Sequence, residues 1–306
     1  MRQVAPSNDV GLDHGSGLAQ SDPVSYSEPV AYRSPVAYGP MVDTAVPAPT
    51  PNAKAPWAAF SSHDYWSHNY EKVLSEDHEI IDRVSSFFIK TFRRRPPVQR
   101  AIDVGSGTNL YPALLMLPWA KQILLSDYSA SNVDWLRRQV RNGDGPWTWQ
   151  PFWRELGARE GYDQVSDPRK QLREACADQR RQSGIEQYNV FGLPPAQWQL
   201  GTMFFVAESI TQDPGEFAEA IRRFIGALQP NSPFAAAFMR GSEGYTVGDT
   251  EFPAVPVTEG DITEHFAKLH VSELSVKPLE TSPSVREGYE GMIVATGITD
   301  SSRELR

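Results

Sequence analysis

Apolar residues recur along this chain in two rhythms, and the change of rhythm marks the change of element. In "WAAFSSHDYWSHNYEKVLSEDHEIIDRVSSFFIKTF", which begins at Trp57, they fall at helical spacing and end in Phe87, Phe88, Ile89 and Phe92, which predicts two helices. A short apolar run at Ala101, Ile102 and Val104 then predicts a buried strand over 99–104, followed by a glycine turn and a helix ending near Pro118. "KQILLSDYS" reads as a second strand, and "SASNVDWLRRQVRNG" as a helix stopped by Gly143.

The same alternation resumes at "QYNVFG". It continues through the strand "WQLGTMFFVAES", the helix "PGEFAEAIRRFIGAL", the strand "SPFAAAFMRG", a helix near 259–268, and the strands "HVSELSVKPL" and "GMIVATGI". Strands alternating with helices predict an α/β fold: a mostly parallel sheet covered on both faces, its last two strands pairing as an antiparallel hairpin.

Two stretches depart from this rhythm. Residues 1–55 are rich in Pro, Ser, Ala and Gly and repeat "PVSYSE", "PVAYRS", "PVAYGP". So few apolar residues cannot offset the entropy of ordering, so this stretch is expected to be an extended or disordered tail, with a plain solvated chain set against partner docking by its tyrosines. The remaining residues, 56–306, are expected to form a single domain with a helical cap over 56–95 and an insertion over 144–186. The insertion runs from the aromatic "WTWQPFWRELG" to a charged helix closed by Gly184. Core packing explains Trp147, Trp149 and Trp153 more simply than base stacking.

Charge and composition narrow the function. Lys+Arg 29 against Asp+Glu 38 gives a formal charge of −9, which repels a phosphate backbone, so nucleic acid is not an expected partner. The single cysteine, Cys176, excludes an intramolecular disulfide framework and a multi-cysteine metal site. With no long apolar run and no secretory pattern at the amino end, the chain is expected to be cytoplasmic and not to enter a membrane. His63 and His68 do not share the i, i+4 spacing of a helical zinc site, so no metal is expected.

The chemistry gathers at "RAIDVGSGTNLYPALL". Gly105 and Gly107 let backbone approach a ligand closely, and the start of the next helix offers free N–H groups to a carboxylate or a phosphate. A dinucleotide fingerprint places a third glycine where this chain has Leu110, so NAD fits less well than S-adenosylmethionine, whose carboxylate, ribose and adenine all need partners. Asp127 closes the second strand, where an acidic side chain can accept from both ribose hydroxyls; its alternative role is to cap the following helix.

These motifs, with W-x-P then E-L-G in the insertion and "LPPAQWQLGTMFFVAESITQDPGEFAEAIRRFIGALQPNSPF", resemble the small-amine methyltransferases: the nicotinamide, phenylethanolamine and indolethylamine N-methyltransferases. The resemblance covers about residues 60–297. It implies a Rossmann-like class I methyltransferase sheet, with S-adenosylmethionine as cofactor and S-adenosylhomocysteine as product. It also implies methyl transfer to the nitrogen of a small amine or N-heterocycle. O- or C-methylation, or a catalytically silent cofactor-binding scaffold, are the alternatives.

Carried over residue by residue, the resemblance implies that Tyr65 and Tyr70 cap the site, with Tyr65 also meeting substrate. The glycine turn becomes Gly105, Ser106, Gly107 and Thr108, and Tyr111 lies near the methionine part. Asp127 would hold the ribose, Tyr128 would pack on adenine, and Asn132 would reach the methionine carboxylate or amine. Asn189 and Val190 stand where the family has Asp-Val, so an amide oxygen replaces the acid that accepts from the adenine amine. On the acceptor side Glu208 and Glu287 match acidic amine contacts and would act as general base, Ser242 stands where a subgroup has a second acid, and Tyr245 matches a pocket tyrosine.

Overall fold

The computed structural model describes residues 49–141, 147–177, 184–279 and 289–300. Contacts group the chain into two units, Met1–Val46 and Pro47–Arg306, and every described residue belongs to the second. Its strands are β1 (Val98–Val104), β2 (Ala120–Asp127), β3 (Ile185–Gln187), β4 (Leu200–Phe204), β5 (Pro233–Arg240), β6 (Gly244–Val247), β7 (Thr250–Pro253), β8 (Val271–Leu279) and β9 (Gly291–Thr299). The helices are α1 (Ser62–Asn69), α2 (Ser75–Phe92), α3 (Tyr111–Met116), α4 (Ala130–Arg141), α5 (Gln150–Leu156), α6 (Pro168–Ala175), α7 (Pro214–Ala227) and α8 (Glu259–Ala267).

Seven strands form one sheet in the order β3-β2-β1-β4-β5-β9-β8. The first five are parallel, and β9 runs antiparallel to both β5 and β8. This is the expected class I methyltransferase sheet. Side chains of β5 show why both faces are covered: Ala235 and Ala237 join the core cluster under α2, α3 and α5, while Phe234, Ala236 and Phe238 join the one under α7 and α8. Period-two alternation on a buried strand thus feeds two cores. Among the described residues no helix is long and apolar enough to cross a membrane.

Two features differ from expectation. The tail was expected to extend to residue 55, yet Asn52–Lys54 form a 3-10 turn and Asn52 is buried. Backbone hydrogen bonding explains the difference, because Thr50 N–H donates to Gln212 Oε1 (3.0 Å) and Gln212 N–H donates back to Thr50 O (2.8 Å). Residues 1–48, with the tyrosine repeat, lie outside the described residues. The second feature is the β6–β7 hairpin, which pairs Tyr245 with Phe252 and forms its own two-stranded sheet. The aromatic insertion behaves as expected: Trp149 and Trp153 are buried and Trp147 packs against the same core.

Candidate functional site

A cavity with about 810 Å³ of atom-free space, counting its open mouth, lies at the carboxyl ends of β1, β2 and β4. It lies at the edge where open α/β sheets bind ligands. One end is made by the turn between β1 and α3. Gly105 has φ +65°, and a Cβ there would sit 2.4 Å from a Val206 methyl carbon; Gly107 has φ +53°. Only glycine meets both demands at position 105, the left-handed backbone and the close approach of the β4 end.

Asp127 ties this end together. Its Oδ2 accepts from Gly107 N–H (2.9 Å), and its Oδ1 accepts from Ser129 N–H (2.8 Å) and Asn132 Nδ2 (3.2 Å). Burial pushes its pKa up to about 6, against the pull of those hydrogen bonds. Asp103, beneath the turn, is pushed to about 7 by burial, although Thr202 Oγ1 donates to it at 2.7 Å. Asp77 in the first turn of α2 is likewise raised to about 7, chiefly by burial. Asn132 also accepts from Ser62 Oγ (2.8 Å), so its amide joins the start of α1 to Asp127.

Polar atoms around the turn point to a ligand. Among the described residues Thr108 Oγ1 and Asn109 Nδ2 are buried without a hydrogen-bond partner, and both residues line the cavity. A buried donor without a partner is costly, so such atoms gathered on one wall suit a zwitterionic group. Tyr128, with 43% of its surface exposed, and Asn189 and Val190 border the same end. Asn189 Oδ1 accepts from Phe191 N–H (3.0 Å), which caps the short 3-10 turn Val190–Gly192.

The other end is aromatic. Trp57, Phe60, Tyr65, Tyr70, Phe204, Phe205 and Tyr245 line it. Phe60, Tyr245 and Phe252 interlock there, Tyr245 stacking on Phe252 with centroids 5.4 Å apart and Phe60 meeting Phe252 edge-on at 5.3 Å. Phe205 has φ +59°, a conformation a bulky side chain rarely adopts, and its N–H donates to Ala237 O (2.7 Å).

Most predicted site residues meet in this one cavity: Tyr65, Tyr70, Gly105, Ser106, Gly107, Thr108, Asp127, Tyr128, Asn132, Asn189, Val190 and Tyr245. Three do not line it. Tyr111 is fully buried, stacked on Phe152 at 5.4 Å and edge-on to Phe204 at 5.7 Å, because the aromatic insertion packs over α3. Glu208, also fully buried, points back toward β5, where Oε1 accepts from Met239 N–H (2.9 Å) and Ser209 Oγ (3.2 Å). Ser242 is buried at the foot of the hairpin and donates to Gly244 O (3.2 Å). Glu287 lies outside the described residues.

Residues not anticipated include Asn52, Trp57, Asn109 and Phe205. Phe205 was within reach of sequence reasoning, since it ends the apolar run of β4 at the ligand edge; Asn52 and Trp57 sit in proline- and alanine-rich sequence that carries no such signal.

Comparison with known proteins yields a consistent pattern. The sequence model of the NNMT/PNMT/TEMT family matches residues 52–297. Nicotinamide N-methyltransferase of Homo sapiens is 27% identical over 161 residues, which cover 51% of this chain and 60% of that protein. Indolethylamine N-methyltransferase of Mus musculus is 26% identical over 161 residues, covering 50% and 59% respectively. The chain thus spans about three fifths of the length of these relatives. An S-adenosylmethionine-dependent methyltransferase from Clostridium acetobutylicum superimposes with a TM-score of 0.47 at 11% identity, over 79% of this chain and 100% of that one.

Proposed function

We propose, from the premise that this chain belongs to the NNMT/PNMT/TEMT family, that it transfers a methyl group from S-adenosylmethionine to the nitrogen of a small amine or N-heterocycle. The observation that carries this reading is the division of the cavity. A polar end with partnerless Thr108 and Asn109 atoms beside Asp127 adjoins an aromatic end with room for a small flat molecule.

The polar end fits the cofactor. Asp127 keeps about one of its roughly four acceptor sites for a ribose hydroxyl, the Tyr128 ring offers a face to adenine, and Asn189 sits at the base edge with an amide that both accepts and donates. Thr108 and Asn109, with the backbone of the glycine turn, face the amino-acid part. Bound there, S-adenosylmethionine would supply an electrophilic methyl group.

The rest of the chemistry falls to the protein's own residues. Displacement needs an unprotonated nitrogen lone pair held in line, at roughly 3 Å. Aromatic walls from Trp57, Phe60, Tyr65 and Tyr245 disfavour an ammonium relative to the neutral amine, as burial does for any cationic group. They also exclude water. Asp127 is the one carboxylate among the described lining residues, and it belongs to the cofactor end. Glu208 faces β5, so we assign it to holding the β4–β5 edge and not to taking the proton. Among the described residues no other carboxylate lines the cavity, and on this reading the acceptor binds already neutral. An aliphatic amine and a pyridine-like nitrogen are admitted equally.

Titration calorimetry with S-adenosylhomocysteine, with NADH as control, followed by turnover on a panel of amines, N-heterocycles and phenols, tests the reading. Binding of S-adenosylhomocysteine together with methylation of a nitrogen is the expected result. Binding of NADH in its place, or methylation confined to phenols, would overturn it.

A further inference from the structure

The segment Thr50–Trp57 does more than cover the cavity. It is latched to the loop that leaves β4: besides the paired bonds between Thr50 and Gln212, Asn52 N–H donates to Glu216 Oε2 (2.7 Å), and Thr211 Oγ1 donates to the same oxygen (2.6 Å). These contacts fix Asn52 beside Trp57 in the cavity wall.

Asn52 is 5% exposed, and it lines the cavity. Its side chain has a defined orientation. Trp57 Nε1–H can only donate, and it donates to Asn52 Oδ1 at 2.9 Å as well as to Asn52 O at 3.0 Å. The oxygen of the amide is therefore turned to the indole, which leaves the Nδ2 hydrogens for another partner. Among the described residues no group accepts from them, and the neighbouring aromatic faces offer no comparable acceptor.

We infer that Asn52 is a specificity-determining residue: its Nδ2–H groups donate to an oxygen on the methyl acceptor, so the favoured substrate carries a carbonyl or hydroxyl besides its nitrogen. This inference rests on the methyltransferase reading and deepens it. A site built to hydrogen-bond a substrate group rejects the analogue that lacks it, because its own buried donor is then left unpaired. Trp57 acts as a positioning residue through Asn52, holding the amide the right way round.

Matched pairs of acceptors test this: nicotinamide against 3-methylpyridine, and phenylethanolamine against phenylethylamine. The informative variant is Asn52→Asp, which keeps an oxygen for the Trp57 indole and removes both N–H donors. The quantity measured is the ratio of kcat/KM within each pair, so differences in nitrogen basicity cancel between wild type and variant. We expect the ratio in the pair the enzyme uses to fall by about tenfold or more, mainly through KM, with S-adenosylhomocysteine affinity changed by less than about twofold. Trp57→Phe, which frees the amide to turn, should lower the same ratio by a smaller factor, and it carries the test if Asn52→Asp does not bind S-adenosylhomocysteine.

A wild type that methylates acceptors while both variants keep its ratios would overturn the role of Asn52 alone. A wild type that binds S-adenosylhomocysteine but methylates none of the four would count against the small-amine reading and take this inference with it.

Discussion

Gly107 and Asp127 are 20 residues apart and joined by one hydrogen bond at the ends of neighbouring parallel strands, whereas Thr50 and Gln212 are 162 apart and joined by two. The cofactor end of the site is thus made from consecutive strand–turn–helix units, each of which shapes its own part of the wall. The acceptor end is assembled from three distant pieces: the Thr50–Trp57 segment, the loop after β4, and the β6–β7 hairpin. Local construction leaves little freedom to the first end; the second can change by replacing any one piece, which is how one fold serves many substrates.

The sharpest way to break the cofactor end is Gly105→Ala. A methyl group there meets Val206 at 2.4 Å in a backbone conformation that disfavours it, so S-adenosylhomocysteine affinity should drop by about a hundredfold or more in calorimetry, with a lowered Tm. Phe252→Ala should break the acceptor end alone. Losing the ring that holds Phe60 and Tyr245 should reduce kcat/KM for the acceptor by about tenfold while S-adenosylhomocysteine affinity stays within about twofold, a split that a uniformly coupled cavity would not show.

Acid should act on cofactor binding and on stability with opposite signs. Asp127 must be ionised to accept from ribose hydroxyls, so S-adenosylhomocysteine affinity should weaken as pH falls below about 6, by up to about tenfold per unit. Stability of the free protein should move the other way. Because the folded-state values of Asp77, Asp103 and Asp127 are raised above 3.8, the stability they contribute is fully present below pH 3.8 and lost as pH rises through about 6 to 7. Asp127→Asn should flatten part of both profiles. A binding profile flat between pH 5 and 8, measured by calorimetry at each pH, would remove Asp127 from the ribose contact. The smallest effect is expected from Glu208→Gln: the amide oxygen can still accept from Met239 N–H, so kcat at saturating acceptor should stay within about fivefold of wild type.

The same contrast explains what the sequence disclosed. The alternation of strands and helices, the antiparallel pairing of the last two strands and the glycine turn follow from patterns a few residues long, and each was legible. The surroundings of Glu208 were not: the strand was expected to run through it, yet β4 ends at Phe204, and beyond the left-handed Phe205 the carboxylate accepts from Met239 N–H on β5. Tyr111 follows the turn as expected, but its neighbours come from the insertion, and the stacking of Phe152 on its ring decides where it lies. The hairpin escaped notice because "GYTVGDTEFP" carries too few apolar residues to read as strands, while its order comes from Phe60 and Trp57, far off in sequence. Composition likewise assigned Asn52 to the tail, although its backbone N–H is held by Glu216 on α7.

The latch of Thr50 on Gln212 also has a meaning in time. During synthesis Thr50 leaves the ribosome long before its partner, 162 residues later, has been made. The earliest described piece of the chain is therefore among the last to dock, since a closure of that length cannot form until β4 and the loop after it are in place. During synthesis, therefore, the glycine turn can be complete before Thr50–Trp57 has docked. On the proposed reading the growing chain can hold cofactor before it can choose an acceptor.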